Sequence, residues 1–457
     1  MDDLILRKEL IFNDIKNPEI LKNIEQIKYL SWYGEYDQNK RKIGKWKAYW
    51  NGNELRDVGG YYQNGLKQGL WKELFKNYWN QAQVYEIGEY FNDQKRGRWN
   101  FIYENKKIGF GSYKEQGLKE GKWKELSDKF WEGSQVTYDG EYQNGKKVGK
   151  WDIQYQNTHD NKQIGGGFYH QGPNEIKIGT WIEISNGFWR DQQITNKGLY
   201  KYGKKVGLWD IWYQINFGIK KYFKIGDGSY DEEGDEIKNG KWIELSDGFR
   251  DYSQIIHKGR YKNGKKIGRW RIYWRFDKYH QIGGGQYDQE GNGMKIGDWI
   301  EESDGFWRHS FVTYNGKYQN GEKVGRWDTK LNTKQIGGGF YSEKGDGMKM
   351  GRWIELRRGF WRDLQVIYDG EYKNGNKVGR WDILFLRENE KEFTKIGGGS
   401  YEESGNGYKI GKWIDLSYDF EKQNQIIYCC EYNNNKIVGK QVKVNLQNVV
   451  GETQCDN

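Results

Sequence analysis

Five histidines are spread along a chain of 457 residues, at His159, His170, His257, His280 and His309. None has a second histidine four residues on, a His-Glu-x-x-His setting or a cysteine close by, so the ligand sets of zinc catalysis are missing. The stretch Gly405-Asn-Gly-Tyr-Lys-Ile-Gly-Lys412 looks like a phosphate loop at first sight. Its glycine spacing is wrong, however, and Trp413 stands where a Ser or Thr would reach magnesium. Carboxylates come in pairs, Asp139 with Glu141 and Asp369 with Glu371, and the pair returns in unit after unit. General acid–base chemistry needs one distinctive constellation, whereas repetition points to structure. The acidic turn Glu343-Lys-Gly-Asp-Gly-Met348 lacks the ligand spacing of a calcium loop. No catalytic, cofactor or metal site is read from these residues, and the chain is expected not to be an enzyme.

The basic residues have more order. Lys146-Lys147, Lys204-Lys205 and Lys265-Lys266 recur at a fixed place, with Lys323 and Lys377 in register, and Lys150, Arg269, Arg326 and Arg380 each precede a Trp. On a regular sheet these lysines would form a row along one edge, about 19 Å apart if four strands separate them. With a net charge of +10, such a row could meet an acidic protein or an anionic membrane. It could equally be the lysine with which exposed sheet edges avoid association. Nucleic acid is not expected, because interleaved Asp and Glu repel phosphate.

What must position these residues is a repeat. Gly-x-Trp recurs at Trp46, Trp71, Trp99, Trp123, Trp151, Trp181, Trp209, Trp242, Trp270, Trp299, Trp327, Trp353, Trp381 and Trp413, and a fifteenth unit has Gln441 where Trp is due. Every second spacing is 28 residues while the others range from 24 to 33, so the units come in two kinds. The first reads Tyr138-Asp-Gly-Glu-Tyr-Gln-Asn-Gly-Lys-Lys-Val-Gly-Lys-Trp151, and the second carries a triple glycine, as in Ile282-Gly-Gly-Gly-Gln-Tyr287, and runs on into Ser303-Asp-Gly-Phe-Trp-Arg308.

Asn-Gly between two short aromatic runs is a strong hairpin signal, because both residues tolerate positive φ. Each unit is therefore one β-hairpin. The Gly of Tyr-x-Gly-x-Tyr leaves room for a ring from a neighbour, and the Trp of Gly-x-Trp is the ring expected there. Consecutive hairpins make an antiparallel meander, about 140 Å long at two strands per unit. Insertions such as Asn157–Lys162 and Arg387–Glu392 would project from one type of connector. The second aromatic set, Trp131, Trp189, Trp307 and Trp361, is expected to pack over an end of the sheet or to form an exposed strip. At the start, Asn17-Pro18-Glu19 is a helix-opening signal, and Ile20, Leu21, Ile24, Ile27 and Leu30 follow at near-helical spacing.

The expected organisation is a capping helix segment over 1–30, the repeat array over 31–441 and a frayed tail over 442–457. The fold class is all-β: an elongated single-layer antiparallel meander of about fifteen hairpins with a short N-terminal helix. Hydrophobic content of 35% with 17% aromatics means that apolar burial comes mainly from rings, and 23 Trp with 35 Tyr exclude a disordered chain.

The run Tyr-x-Gly-x-Tyr-x-x-Gly-x-x-x-Gly-x-Trp, present at Tyr138–Trp151 and Tyr368–Trp381, resembles the MORN repeat (membrane occupation and recognition nexus), in a variant with Gly-x-Trp at its end. The units are longer than the usual MORN length of about 23 residues. The resemblance implies a non-enzymatic, elongated sheet used in cytoskeletal or ciliary assembly, in dimerisation or in contact with acidic lipids. The Asn- and Lys-rich, Pro-poor composition also resembles that of proteins from AT-rich genomes such as a ciliate's.

The expected function is a scaffold for protein–protein assembly, with binding to anionic phospholipid, or a carbohydrate- or choline-binding repeat, as alternatives; the oligomeric state stays open. The lysines named above are the candidate binding edge, and Trp151, Trp181, Trp209, Trp242, Trp270, Trp299, Trp327, Trp353 and Trp381 are structural. Cys429, Cys430 and Cys455 fall in the last 30 residues and encode no disulfide framework through the body, which reads as a reducing, cytoplasmic setting. No run of about 18 apolar residues occurs.

Overall fold

A computed structural model describes residues 23–157, 160–214, 222–275, 278–307, 310–361, 364–387 and 390–448. Among the described residues, thirty antiparallel strands follow one another as an open meander sheet, preceded by one short helix. The chain forms two compact units, residues 1–225 with 230–236, and residues 226–229 with 237–457.

The hairpins turn where Asn-Gly predicts. Asn144 and Gly145 have φ of 50° and 77°, and Asn374 and Gly375 have 48° and 81°, the pair of left-handed residues that a two-residue turn matching strand twist requires. Gly-x-Trp itself is an arch. Val148 pairs with Glu141 and Asp152 with Asp139, so Gly149, Lys150 and Trp151 together stand opposite the single residue Gly140. Gly149 has φ of 62° and bends the strand outward, which drops the Trp151 ring onto Gly140. A methyl group on Gly140 would overlap that indole, closer than 3.0 Å. The same fit recurs at Gly370 under Trp381, Gly399 under Trp413, and each other ring-bearing unit.

These rings build the core of each unit. In the first, Tyr and Trp alternate edge-to-face from Tyr36–Trp46 to Trp209–Tyr230, with centroids 5.3 Å apart at Tyr142–Trp151 and 5.0 Å at Tyr169–Trp181. In the second the alternation runs from Trp242–Tyr261 to Trp413–Tyr432. Each such pair contributes about 1 kcal/mol beyond burial. The Trp rings are only 1–6% exposed, although they lie on one face of a sheet. Beyond the rings, the same face is covered by the connectors, whose Phe75, Phe130, Phe188, Phe249, Phe306, Phe360 and Phe420 are buried.

The triple glycine has three separate tasks. Gly285 receives the Trp299 ring, Gly284 has φ of 127° and lies against the Trp270 carbonyl, and Gly283 lies against the Ile300 carbonyl. Side chains at the last two would collide with backbone, so this strand passes closer to both neighbours than ordinary strands do.

The helix spans Ile24–Tyr29, with Asn23 as its N-cap accepting from the backbone of Glu25 and Gln26. The expected start at Asn17-Pro18-Glu19, with Ile20 and Leu21, lies outside the described residues. The helix docks through amides rather than through an apolar row: Gln26 Nε2 donates to Phe75 O at 3.2 Å and Asn23 Nδ2 to Tyr78 O at 3.0 Å, while Ile24 is 59% exposed. Leu30 opens the first strand. At the other end a strand reaches Asn445, followed by a turn of 3-10 helix, and the rest of the tail lies outside the described residues. Cys429 and Cys430 are both buried, and Cys430 is a free thiol. Among the described residues no helix is long and apolar enough to cross a membrane.

Candidate functional site

The lysine row resolves into two sets. Lys146, Lys204 and Lys265, the first of each pair, are exposed at the hairpin turns. The second set, Lys147, Lys205, Lys266, Lys323 and Lys377, turns onto the ring-bearing face. Lys377 Nζ lies 3.7 Å from the centre of the Trp381 ring and 3.0 Å from Glu355, and its side chain is 26% exposed. Lys323 lies 3.8 Å from the Trp327 centre and 3.1 Å from Glu301. Lys147 pairs with Glu125, Lys205 with Glu183 and Lys266 with Glu244 at 2.9–3.1 Å.

Each of these glutamates is shared. Glu355 also pairs with Lys349 and accepts from Tyr372 Oη at 2.8 Å, and Glu301 pairs with Lys295 and accepts from Tyr318 at 2.9 Å. The unit is a Lys–Glu–Lys bridge with a Tyr on the carboxylate and both ammonium groups over indoles. The lysine stems and Tyr rings shield the Trp rings from water. Burial alone would raise the carboxyls of Glu125, Glu183, Glu244, Glu301 and Glu355, but the lysines and Tyr hydroxyls outweigh it and hold them below the ordinary range. Burial pushes the ammonium groups of Lys323 and Lys377 down.

A carboxyl whose folded pKa lies below its unfolded value, near 4.3, contributes stability at higher pH that disappears as pH falls through the folded value. The urea midpoint of the array should therefore hold steady from pH 7 to about pH 5 and fall steeply below about pH 4.3. A midpoint unchanged down to pH 3 would contradict this arrangement of the bridges.

The connectors add a second set of contacts. Each forms a small β-bridged loop, as at Trp131 with Ser134, and within each unit serines of these loops hold the next one: Ser134 Oγ donates to Phe188 O at 2.7 Å in the first, and Ser253 Oγ to Phe306 O at 2.6 Å and Ser310 Oγ to Phe360 O at 3.0 Å in the second. Their Trp rings continue this contact, Trp131 stacking on Trp189 at 6.0 Å and Trp307 meeting Trp361 at 6.1 Å. These half-buried rings hold connector to connector. The inserted segments at 157–162 and 387–392 lie partly outside the described residues, as do His159 and His309.

The opposite face of the sheet is open. Lys150, Arg269, Arg326 and Arg380 point into solvent there. Most are tied to nearby acids: Lys150 to Asp152 at 3.0 Å, Arg326 to Asp328 at 2.8 Å, Arg380 to Asp382 at 2.9 Å and Arg352, 77% exposed, to Asp369 at 2.7 Å. Phe168 and Phe340 stand among them, about half exposed, with Arg326 over Phe340. The acidic turns are turns. Asp288 accepts from the backbone of Gly291 and Asn292, and Asp231, which with Glu233 and Asp235 forms an acidic group, likewise accepts from Gly234 and Asp235. An open hollow of about 800 Å³ beside the first connector is lined by Arg56, Asp57, Gln81, Tyr85 and Glu132, and Lys72 covers the Tyr85 ring at 4.6 Å.

Neither a protein-family model nor a curated protein matches the chain. Among solved structures, the chain is similar to one described as "crystal structure of S. cerevisiae core factor", at 10% identity and a TM-score of 0.18, over 93% of this chain and 58% of that one. The chain thus spans a little over half the length of that structure, and a likeness of this size carries no functional argument.

Proposed function

We propose that the chain is a non-catalytic scaffold whose open sheet face holds acidic segments of partner proteins. The observation that supports this reading is a division of labour among the repeated residues. The Trp, Tyr, Glu and half-buried Lys residues help hold the hairpins together, while the open face repeats exposed Arg and Lys with Asp and Phe beside them. Paired charges of this kind can exchange an internal acid for a partner's, and a regular row offers multivalent contact. The cytoskeletal or ciliary setting rests on the MORN resemblance.

The carbohydrate and choline reading needs open ring faces, and the pinned indoles offer none, each lying on a glycine with lysine stems beside it. Binding to anionic lipid keeps Lys146, Lys204 and Lys265 as its accessible residues. The test is affinity capture from the native cell with the intact chain and with the R326E/R352E/R380E variant. The scaffold reading predicts that specific partners are lost while the variant remains folded. Equal recovery with both chains would sink it. Loss of membrane recovery on K146E/K204E/K265E alone would favour the lipid reading.

A further inference from the structure

In an array whose interior repeats, the informative place is where two interior positions break the pattern together. The residue three after each second-kind Trp is Leu or Ile in six copies, Leu74, Leu126, Ile184, Leu245, Leu356 and Leu416, and Glu302 in the seventh. The residue two before the ring-receiving glycine in the equivalent strands is Tyr at Tyr138, Tyr314 and Tyr368, Glu at Glu86, Asn at Asn196 and His at His257, and only His257 is matched by a departure at the first position as well. In three copies these two positions join one apolar cluster, Tyr138 with Ile184, Tyr314 with Leu356 and Tyr368 with Leu416. In the exceptional copy they meet through a polar contact, His257 Nε2 to Glu302 Oε1 at 2.7 Å, with side chains 24% and 15% exposed. The strands that carry them, Gln254–Lys262 and Lys295–Glu302, are separated by two others, and the close approach at Gly283 to the Ile300 carbonyl helps bring them together.

The imidazole of His257 and the carboxylate of Glu302 border a cavity of about 350 Å³. Its wall brings together His257, Glu302, Glu301, Lys266, Lys295 and Tyr287, with Trp270 and Trp299 behind them. Lys266 is shared with Glu244 at 3.0 Å and Lys295 with Glu301, leaving each ammonium further donors. Burial and the surrounding glutamates push the Tyr287 phenol up to about 12, so it stays neutral and able to donate. The wall therefore carries two ammonium groups, two carboxylates, an imidazole and a phenol around a space that suits a molecule of a few heavy atoms.

We infer that this cavity binds a small zwitterion of amino-acid size, its carboxylate held by Lys266 and Lys295 and its ammonium by Glu302. The lysines and carboxylates of the wall are already matched, so a zwitterion can add contacts to both signs without bringing net charge into a half-buried space, whereas a simple acid or amine brings one uncompensated charge. The site lies on the ring-bearing face and stands independently of the open-face scaffold.

Isothermal titration calorimetry of the full chain tests the inference, with glycine, alanine, serine and glutamate as probes and acetate and methylamine as single-charge controls. At least one amino acid should bind ten-fold or more tightly than both controls. No binding by any amino acid, or equal binding by the controls, overturns the inference. The H257Y/E302L variant installs the Tyr–Leu pair that two other copies already use, at Tyr314 with Leu356 and Tyr368 with Leu416, so it should keep the wild-type fold and lose binding by ten-fold or more. Binding retained by that variant places the ligand elsewhere and overturns the assignment. Should that variant fail to fold, E302Q keeps the side-chain shape, and it should weaken amino-acid binding by at least ten-fold; unchanged affinity overturns it equally.

Discussion

The E355Q variant should open the hairpins around Trp353 and Trp381 at a cost of about 2 kcal/mol. Glu355 is the shared carboxylate of Lys349 and Lys377, and both lysines are held over indole rings. Removing its charge leaves two half-buried ammonium groups with one neutral amide between them. Breaking a fully buried pair costs about 3–5 kcal/mol, and the value expected here is lower because water reaches these lysines. Hydrogen exchange of amides in Lys349–Leu356 and Asn376–Leu386 reads the local effect, which matters because a repeat array need not unfold as one cooperative body. As a control, K146E changes an exposed turn residue and should shift the same measure by less than about 0.5 kcal/mol. If the two variants behave alike, the second lysine of each pair is not part of the interior.

A larger effect is expected at the ring-receiving glycines. Gly370→Ala should destabilise its hairpin by about 3 kcal/mol. Its backbone is not in the left-handed region that only glycine favours, so the cost is steric: the new methyl meets the Trp381 indole inside 3.0 Å. That ring cannot simply move away, because it is 2% exposed, packs edge-to-face with Tyr372 at 5.2 Å and donates from Nε1 to Glu371 O at 3.2 Å. By contrast Gly405, which has nothing within 4 Å of a built Cβ, resists substitution only through its backbone conformation, and G405N should cost about 1 kcal/mol or less. Exchange protection of Gln365–Lys373 in G370A and of Thr394–Tyr401 and Lys409–Leu416 in G405N makes the comparison.

Much of this was legible in the sequence because its physics is local. Asn-Gly fixes a turn by itself, and a Gly opposite a Trp is a size complementarity that can be read from two letters. The other elements depend on register. Lys377 is grouped with Lys146 by sequence, but it is separated from its carboxylate, Glu355, by a connector and one whole strand, and only the pairing of the strands shows that it faces inward. The arch made by Gly379, Arg380 and Trp381 is equally invisible until Asp369 is seen opposite Asp382 and Glu371 opposite Val378. The helix was expected to dock by its apolar row, yet Gln26 and Asn23 reach connector carbonyls that a helical periodicity cannot display. His257 and Glu302 did leave a signal, since both depart from the letters of their equivalents, but departures 45 residues apart mean little until the fold brings them together.

One departure in the sequence bears on the ring-and-glycine fit. In the last unit Gln441 stands where Trp is due, and Cys430 stands where the receiving glycine is due, paired across from Trp413 as Gly370 is from Trp353. Ring and glycine are lost together, as expected if each is there for the other. A double-mutant cycle on Gly370 and Trp381 measures this directly. Gly370→Cys and Trp381→Gln should each cost about 3 kcal/mol, and the double variant should cost at least about 1.5 kcal/mol less than the two together. Additive costs within about 0.5 kcal/mol would mean that the indole and the glycine do not share a fit, and that the repeat is held together by something other than its rings.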